Sequence, residues 1–246
     1  MDTNRRLAVA AGVALLIATI AQLVGVALAS PILSAPDYLA RVAADQDRVT
    51  LGAFFQFVGA LACPAIAIAL YPVLRKHGEG LALGSVGFRT IEGGLHVLIA
   101  VCVLMLVTLS QAWMNATVAA APAYEVSGGV LLAARESLGP VSVLSFGLGA
   151  IMYYWVFYRT RLVPRWLSVW GLVAVPMVML AALLVMFRVI ANFSTTEVVL
   201  ALPIAVQEMV LAVWLIAKGF APAAIAAEPA GETSRRPAGT SPVPVS

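Results

Sequence analysis

The chain has 246 residues, of which 62% are apolar and 11% charged, with a mean hydropathy of +0.97. Soluble domains are nearer half apolar and a quarter charged, so this composition falls outside that range. The formal charge of +3 does not argue for a nucleic-acid partner, because membrane chains carry excess Lys and Arg to fix their orientation.

The apolar residues come in blocks of about twenty or more, the length a helix needs to cross a bilayer. Block one, residues 7–29, follows Arg5 and Arg6. Its run exceeds a signal-peptide core, so it is expected to be retained as a helix. The segment 30–50 carries Asp37, Tyr38, Arg41, Asp45 and Asp47 and suits a short surface helix. Block two, 51–74, closes with Arg75, Lys76 and His77, and block three covers 81–109. Block four runs from 129 to 158 and ends in Tyr153, Tyr154, Trp155, Phe157 and Tyr158, which reads as an aromatic belt at the membrane interface. Blocks five and six are 167–187 and 196–220. The composition therefore predicts an all-α bundle of six transmembrane helices over 1–220. The remainder, 221–246, is rich in Ala, Pro, Ser and Thr and reads as a disordered cytoplasmic tail.

With the N-terminus inside, ten Lys and Arg residues fall in cytoplasmic segments and three in outer ones, Arg41, Arg48 and Arg188. The bias places both ends in the cytoplasm and the chain in the cell membrane as a multi-pass protein, with the lipid bilayer as its first partner. The short inner loops leave no room for a soluble catalytic domain.

What remains is a set of ionisable residues inside the apolar blocks: Arg89, Glu92, His96, Arg135, Glu136 and Glu208. Each charge costs about 2.5–3.5 kcal/mol at a helix centre, so they are expected to face protein rather than lipid. Ser85, Arg89, Glu92 and His96 are spaced i, i+4, i+7, i+11, one stripe of one helix. Counting about 1.5 Å per residue from Leu81 puts Arg89 ~12 Å, Glu92 ~16 Å and His96 ~22 Å above the inner boundary. Glu208 falls level with the first two, and Arg135 and Glu136 lie near the outer boundary. Two layers follow: a deep one of Arg89, Glu92 and Glu208, and a shallower one of His96, Arg135 and Glu136 bordered by Gln56. Near Glu208, Ala201, Ala205, Ala212 and Gly219 form a small-residue face that admits a neighbouring helix. Two arginines against three glutamates leave one surplus negative charge, and one loosely assigned proton would neutralise it.

No metal or cofactor is expected from the spacing. Glu92 and His96 are i, i+4 neighbours, whereas the di-iron pattern needs Glu-x-x-His twice. Cys63 and Cys102 lie in separate apolar blocks, and nothing in the sequence brings them together.

Several stretches resemble a bacterial membrane family known as domain of unknown function 4386. They are Ala69-Leu70-Tyr71-Pro72-Val73-Leu74-Arg75, Gly87-Phe88-Arg89 with Glu92, Arg161-Leu162-Val163-Pro164-Arg165-Trp166-Leu167, and Gln207-Glu208-Met209 through Trp214 to Gly219-Phe220. The likeness covers about residues 5–220. It implies the helical membrane fold and weight for Arg89, Glu92 and Glu208, and it implies no reaction. Three functions fit the polar cluster. It can bind or transport a small or lipid-like ligand, with proton coupling available. It can be an intramembrane enzyme that uses paired carboxyls as acid and base on a lipid or isoprenoid substrate. Or it can be the ion-paired interior of a structural or partner-binding subunit. Helices broken at Pro64, Pro140, Pro176 or Pro203 would favour transport.

Overall fold

A computed structural model describes residues 2–226, and no strand occurs among them. In chain order the helices are α1 (Thr3–Leu33), α2 (Tyr38–Ala44), α3 (Gln46–Leu74), α4 (Glu79–Met114), α5 (Ala121–Thr160), α6 (Arg165–Met186), α7 (Thr195–Ala217) and α8 (Pro222–Ala226). All but α2 and α8 are long and apolar enough to cross a membrane, and each contains one of the six sequence blocks almost whole. Helix is the natural state of such segments because lipid offers no partners to a free N–H or carbonyl. The chain is a multi-pass membrane protein. Of the sequence-derived tail, 222–226 form α8, and 227–246 lie outside the described residues.

The six long helices pack mainly on their chain neighbours, and α7 returns against α1. They therefore form a closed ring in the order α1, α3, α4, α5, α6, α7. Small residues permit the tight crossings. At Gly25 of α1 a Cβ would stand 2.7 Å from the Gly52 carbonyl oxygen of α3, so the backbones touch where a side chain would hold them apart. The ring is also closed at one end by a side chain. Arg5 of α1 donates to the Leu215 carbonyl at 2.9 Å and to the Ile216 carbonyl at 2.5 Å. These are acceptors that the last turn of α7 leaves free. Of the small residues near Glu208, Ala212 is buried and Ala205 is exposed, so only part of that face packs against protein.

Pro64, Pro140, Pro176 and Pro203 all lie inside helices that continue past them. The aromatic run of α5 divides by helical period instead of forming one belt. Tyr153, Tyr154 and Phe157 share a face and are at most 1% exposed, while Trp155 on the opposite side is 45% exposed. Trp155, with the part-exposed Tyr158 packed beside it, is the portion of the run placed to serve as an interface anchor.

Two apolar cores fill the ring. One includes Leu15, Ile66, Leu70, Phe157, Leu215 and Phe220, toward the α8 end. The other joins Ile32, Val42, Val49, Val103 and Leu106, where the buried face of α2 covers the opposite end. Along α1 the gap between the cores holds Gln22, along α3 it holds Gln56, and along α4 it holds Arg89, Glu92 and His96. On these three helices the polar residues thus fall between two greasy plugs, whereas Glu208 of α7 lies within the first, between Ile204 and Leu211.

Candidate functional site

The α4 stripe turns inward as its spacing predicts. Ser85, Arg89 and Glu92 are buried, and His96 is half-buried one turn higher. Arg89 is held from three helices. Its Nη1 lies 3.1 Å from Glu92 Oε2, its Nε donates to the Cys63 carbonyl of α3 at 3.4 Å, and its guanidinium sits 5.0 Å from the ring centroid of Phe146 on α5. A charge this deep is tolerable only with such partners. The pairing with Glu92 is Coulombic more than directional, since Glu92 Oε2 has no aligned hydrogen bond.

Glu208 does not join Arg89 in an ion pair. No cation lies within 4.0 Å of it among the described residues, and its buried Oε1 has no hydrogen-bond partner. The reason is the ring. Helices α4 and α7 stand three places apart in either direction, so Glu208 confronts Arg89 and Glu92 across the interior instead of touching them. It shares their electrostatic surroundings together with Tyr153, whose hydroxyl is likewise buried and unpartnered.

Above this level lies a chamber of about 240 Å³ to which all six long helices contribute. Gln22 and Val26 come from α1, Gln56 from α3, His96 and Ile99 from α4. Arg135 and Glu136 of α5 complete the upper layer, α6 adds Val178, and α7 adds Glu197 and Ala201. Gln56 is 2% exposed, and neither its amide nitrogen nor its amide oxygen has a hydrogen-bond partner among the described residues. Arg135 is anchored by one bond, from Nη2 to Ser30 Oγ at 3.2 Å, and its buried Nε has no partner among the described residues. Arg135 and Glu136 do not form an ion pair. Adjacent residues on a helix point about 100° apart, and Glu136 sits exposed at the chamber's edge.

The α6–α7 connection borders the same chamber through Asn192 and Phe193. Phe193 adopts a left-handed backbone with φ 59°, uncommon for a residue with a Cβ. Its N–H donates to the Glu197 carboxylate, while Ser194 Oγ accepts from the Glu197 N–H at 3.4 Å to cap α7. Glu197 is therefore occupied with shaping the rim.

Sequence reasoning left out three parts of the site. Cys63 lies beside the α4 stripe, so that one ligand atom each from Cys63, Glu92 and His96 falls within 4.8 Å of the others. The signal was present in the seven-residue interval from Gln56 to Cys63, which puts both on one face of α3, but the α3–α4 register that joins them to Glu92 was not. Gln22 and the Asn192–Phe193 rim were likewise reachable only through the ring. Gln207 is a structural counterpart. It accepts from the Tyr154 hydroxyl at 2.5 Å and donates to the Leu167 carbonyl at 3.0 Å, tying α5, α6 and α7 together.

Among known proteins, no curated protein and no solved structure matches the chain. One family model does, over residues 10–219, a span that takes in five of the six long helices whole, all but the first turns of α1, and every residue of both polar layers. The chain therefore belongs to the family described as Domain of unknown function (DUF4386).

Proposed function

We propose that this protein binds a small or lipid-like molecule in the chamber between α2 and the buried Arg89–Glu92 pair. The observation that carries this reading is Gln56. Its amide is buried, with both polar atoms unpartnered among the described residues, beside a chamber that is also lined by Arg135, whose buried Nε is likewise unpartnered. Buried polar atoms in folded proteins are almost always paired, and each one left alone costs about 1–3 kcal/mol. Donors and an acceptor gathered on one cavity are the usual means of orienting a ligand. Val26, Ile99, Val143 and Val178 supply apolar lining to the same chamber. Arg135 and Gln56 suit a carboxylate, phosphate or other acidic or polar head, and the valines suit an alkyl or prenyl body.

The orientation rests on the positive-inside count, which puts the chamber on the outer side of the cell membrane. Reporter fusions after Gly78 and after Arg161 are then expected to read cytoplasmic. The four long helices that contain central prolines run unbroken, a geometry that suits binding from one side better than alternating access.

The test is mass spectrometry of organic molecules that accompany the protein purified from its native membrane. The wild type is expected to carry one molecular species in near-stoichiometric amount, and Arg135→Gln to lose most of it. A wild type that carries only bulk lipid, or an Arg135→Gln protein with undiminished cargo, would overturn the assignment.

A further inference from the structure

We propose that Cys63, Glu92 and His96 form a binding site for a divalent transition metal of the zinc class, with an open coordination position toward the chamber. The three residues come from two helices that pack along their length, α3 and α4. They offer a sulfur, a carboxylate oxygen and an imidazole nitrogen, a mixed set that suits zinc and its neighbours and not magnesium or calcium.

The distances allow it. Three atoms no more than 4.8 Å apart all lie within about 2.8 Å of a common point, and inward movement of about 0.5–0.8 Å each gives the ~2.0–2.3 Å bonds of zinc. Side-chain rotation suffices, because the backbone crossing already brings the ligands together. The surroundings orient two of the three. His96 Nδ1 is 3.1 Å from the Glu92 carbonyl oxygen, so that nitrogen donates and Nε2 keeps the lone pair a metal needs. Arg89 stands against Glu92 Oε2, leaving Oε1 for the ion. A ligating imidazole whose second nitrogen is hydrogen-bonded, and a ligating carboxylate held by a neighbour, are the outer-shell arrangement of metal sites. Glu92 is also the buried, poorly satisfied group of the cluster: 5% exposed, with one oxygen lacking any hydrogen bond.

Charge gives a separate argument. Arg89, Glu92 and Glu208 leave the deep layer one negative charge in surplus, with no cation beside Glu208 among the described residues. Metal binding converts the Cys63 thiol to a thiolate and releases its proton to solvent. One divalent cation then balances that thiolate and the surplus carboxylate together, and the interior becomes neutral. Three protein ligands with a fourth position free are the pattern of reactive zinc sites, whereas structural sites use four. His96 belongs both to the cluster and to the chamber wall, so it is the residue that would link the free position to the space where a ligand would sit.

The site shares His96 with the proposed chamber but stands on its own observations, and metal content is read separately from organic cargo. The experiment loads the purified full chain with zinc, removes loosely held ions on a chelating resin, and counts metal per chain by plasma mass spectrometry. The expected value is one, with at least a tenfold loss of affinity in Cys63→Ser and in His96→Gln, and no change in Cys102→Ser. Cobalt in place of zinc should give a thiolate-to-metal charge-transfer band that Cys63→Ser abolishes and Cys102→Ser keeps. Should Cys63→Ser fold poorly, alkylation of the wild type decides instead. Zinc is expected to protect Cys63 from a small thiol reagent and leave Cys102 as reactive as before. A wild type that retains no metal, a Cys63→Ser protein that retains it fully, or a Cys63 thiol indifferent to zinc would each overturn the site.

Discussion

The two arginines inside this membrane protein live under different rules. Arg89 is 2% exposed and answered from three sides, by a carboxylate, a carbonyl and an aromatic face. Arg135, one layer toward the α2 end, has a single hydroxyl for company and an idle Nε beside a chamber. Burial alone would make both look functional, since any charge at membrane depth is costly. Their partners separate them. A charge whose needs are met within the fold is part of the scaffold, and one whose needs are unmet is available to something else.

The largest test of that contrast is Arg89→Met. It leaves Glu92 buried without its cation, and removing one member of a buried pair costs about 3–5 kcal/mol. Thermal melting in detergent is expected to show a protein that unfolds early or fails to accumulate. The double variant Arg89→Met with Glu92→Gln removes both charges and is expected to regain most of that loss. A single variant as stable as wild type would mean that the pair is not what holds α3, α4 and α5 together. Tyr154→Phe is expected to fall below this, at about 1–3 kcal/mol, because Gln207 would lose the donor to its buried carbonyl. Destabilisation there without loss of cargo or metal would mark the α5–α7 junction as scaffold also.

How much of this was visible in the sequence follows from which distances are local. Arg89, Glu92 and His96 lie on one helix, and the 3.6-residue period alone puts them on one inward stripe. The six spans were legible for a similar reason, since apolar block length and bilayer thickness determine them. Glu208 reads from the sequence as a member of the same layer as Arg89, but whether the two touch depends on where α7 stands in the ring, which no single helix reveals. Cys63 stands out only once its neighbours on another helix are known, and the close approach of Gly93, where a Cβ would lie 2.7 Å from the Ala60 carbonyl oxygen, is one contact of the α3–α4 register that joins them. The aromatic run was misjudged by composition. Five aromatics in six residues resemble a belt until the helix sends Tyr153, Tyr154 and Phe157 one way and Trp155 another.

The chamber side of the contrast gives smaller and opposite effects. Gln56→Leu keeps the size of the side chain and removes a buried amide that has no protein partner. Replacing an unsatisfied polar group by an apolar one of similar shape is neutral or stabilising, here by up to about 1 kcal/mol. The variant is expected to melt at or above the wild-type temperature when both are stripped of cargo, and to carry less cargo when purified gently. If Gln56→Leu is instead destabilised by the amount seen for Tyr154→Phe, the amide has a structural partner, such as a fixed water, and the chamber loses its strongest argument.

Arg135 is expected to show the smallest change in stability and the most informative one. In the absence of cargo its side chain contributes one hydrogen bond to Ser30, and a half-buried bond of that kind nets about 0.5–1.5 kcal/mol at most. Against it stands the cost of keeping a guanidinium part-way out of water with Nε unpartnered. The two nearly cancel, so Arg135→Gln should melt within about 0.5 kcal/mol of the wild type. With cargo bound, the balance changes. A ligand that pairs with the guanidinium stabilises only the protein that has one, because anything that binds the folded state alone raises its apparent stability. Wild type is then expected to melt higher before cargo is stripped than after, and Arg135→Gln to melt at the same temperature in both conditions. That four-way comparison needs no knowledge of what the ligand is. Equal melting shifts in both proteins would remove Arg135 from the binding site. A large loss of stability in stripped Arg135→Gln would place it with Arg89, as a second buried charge that the fold depends on.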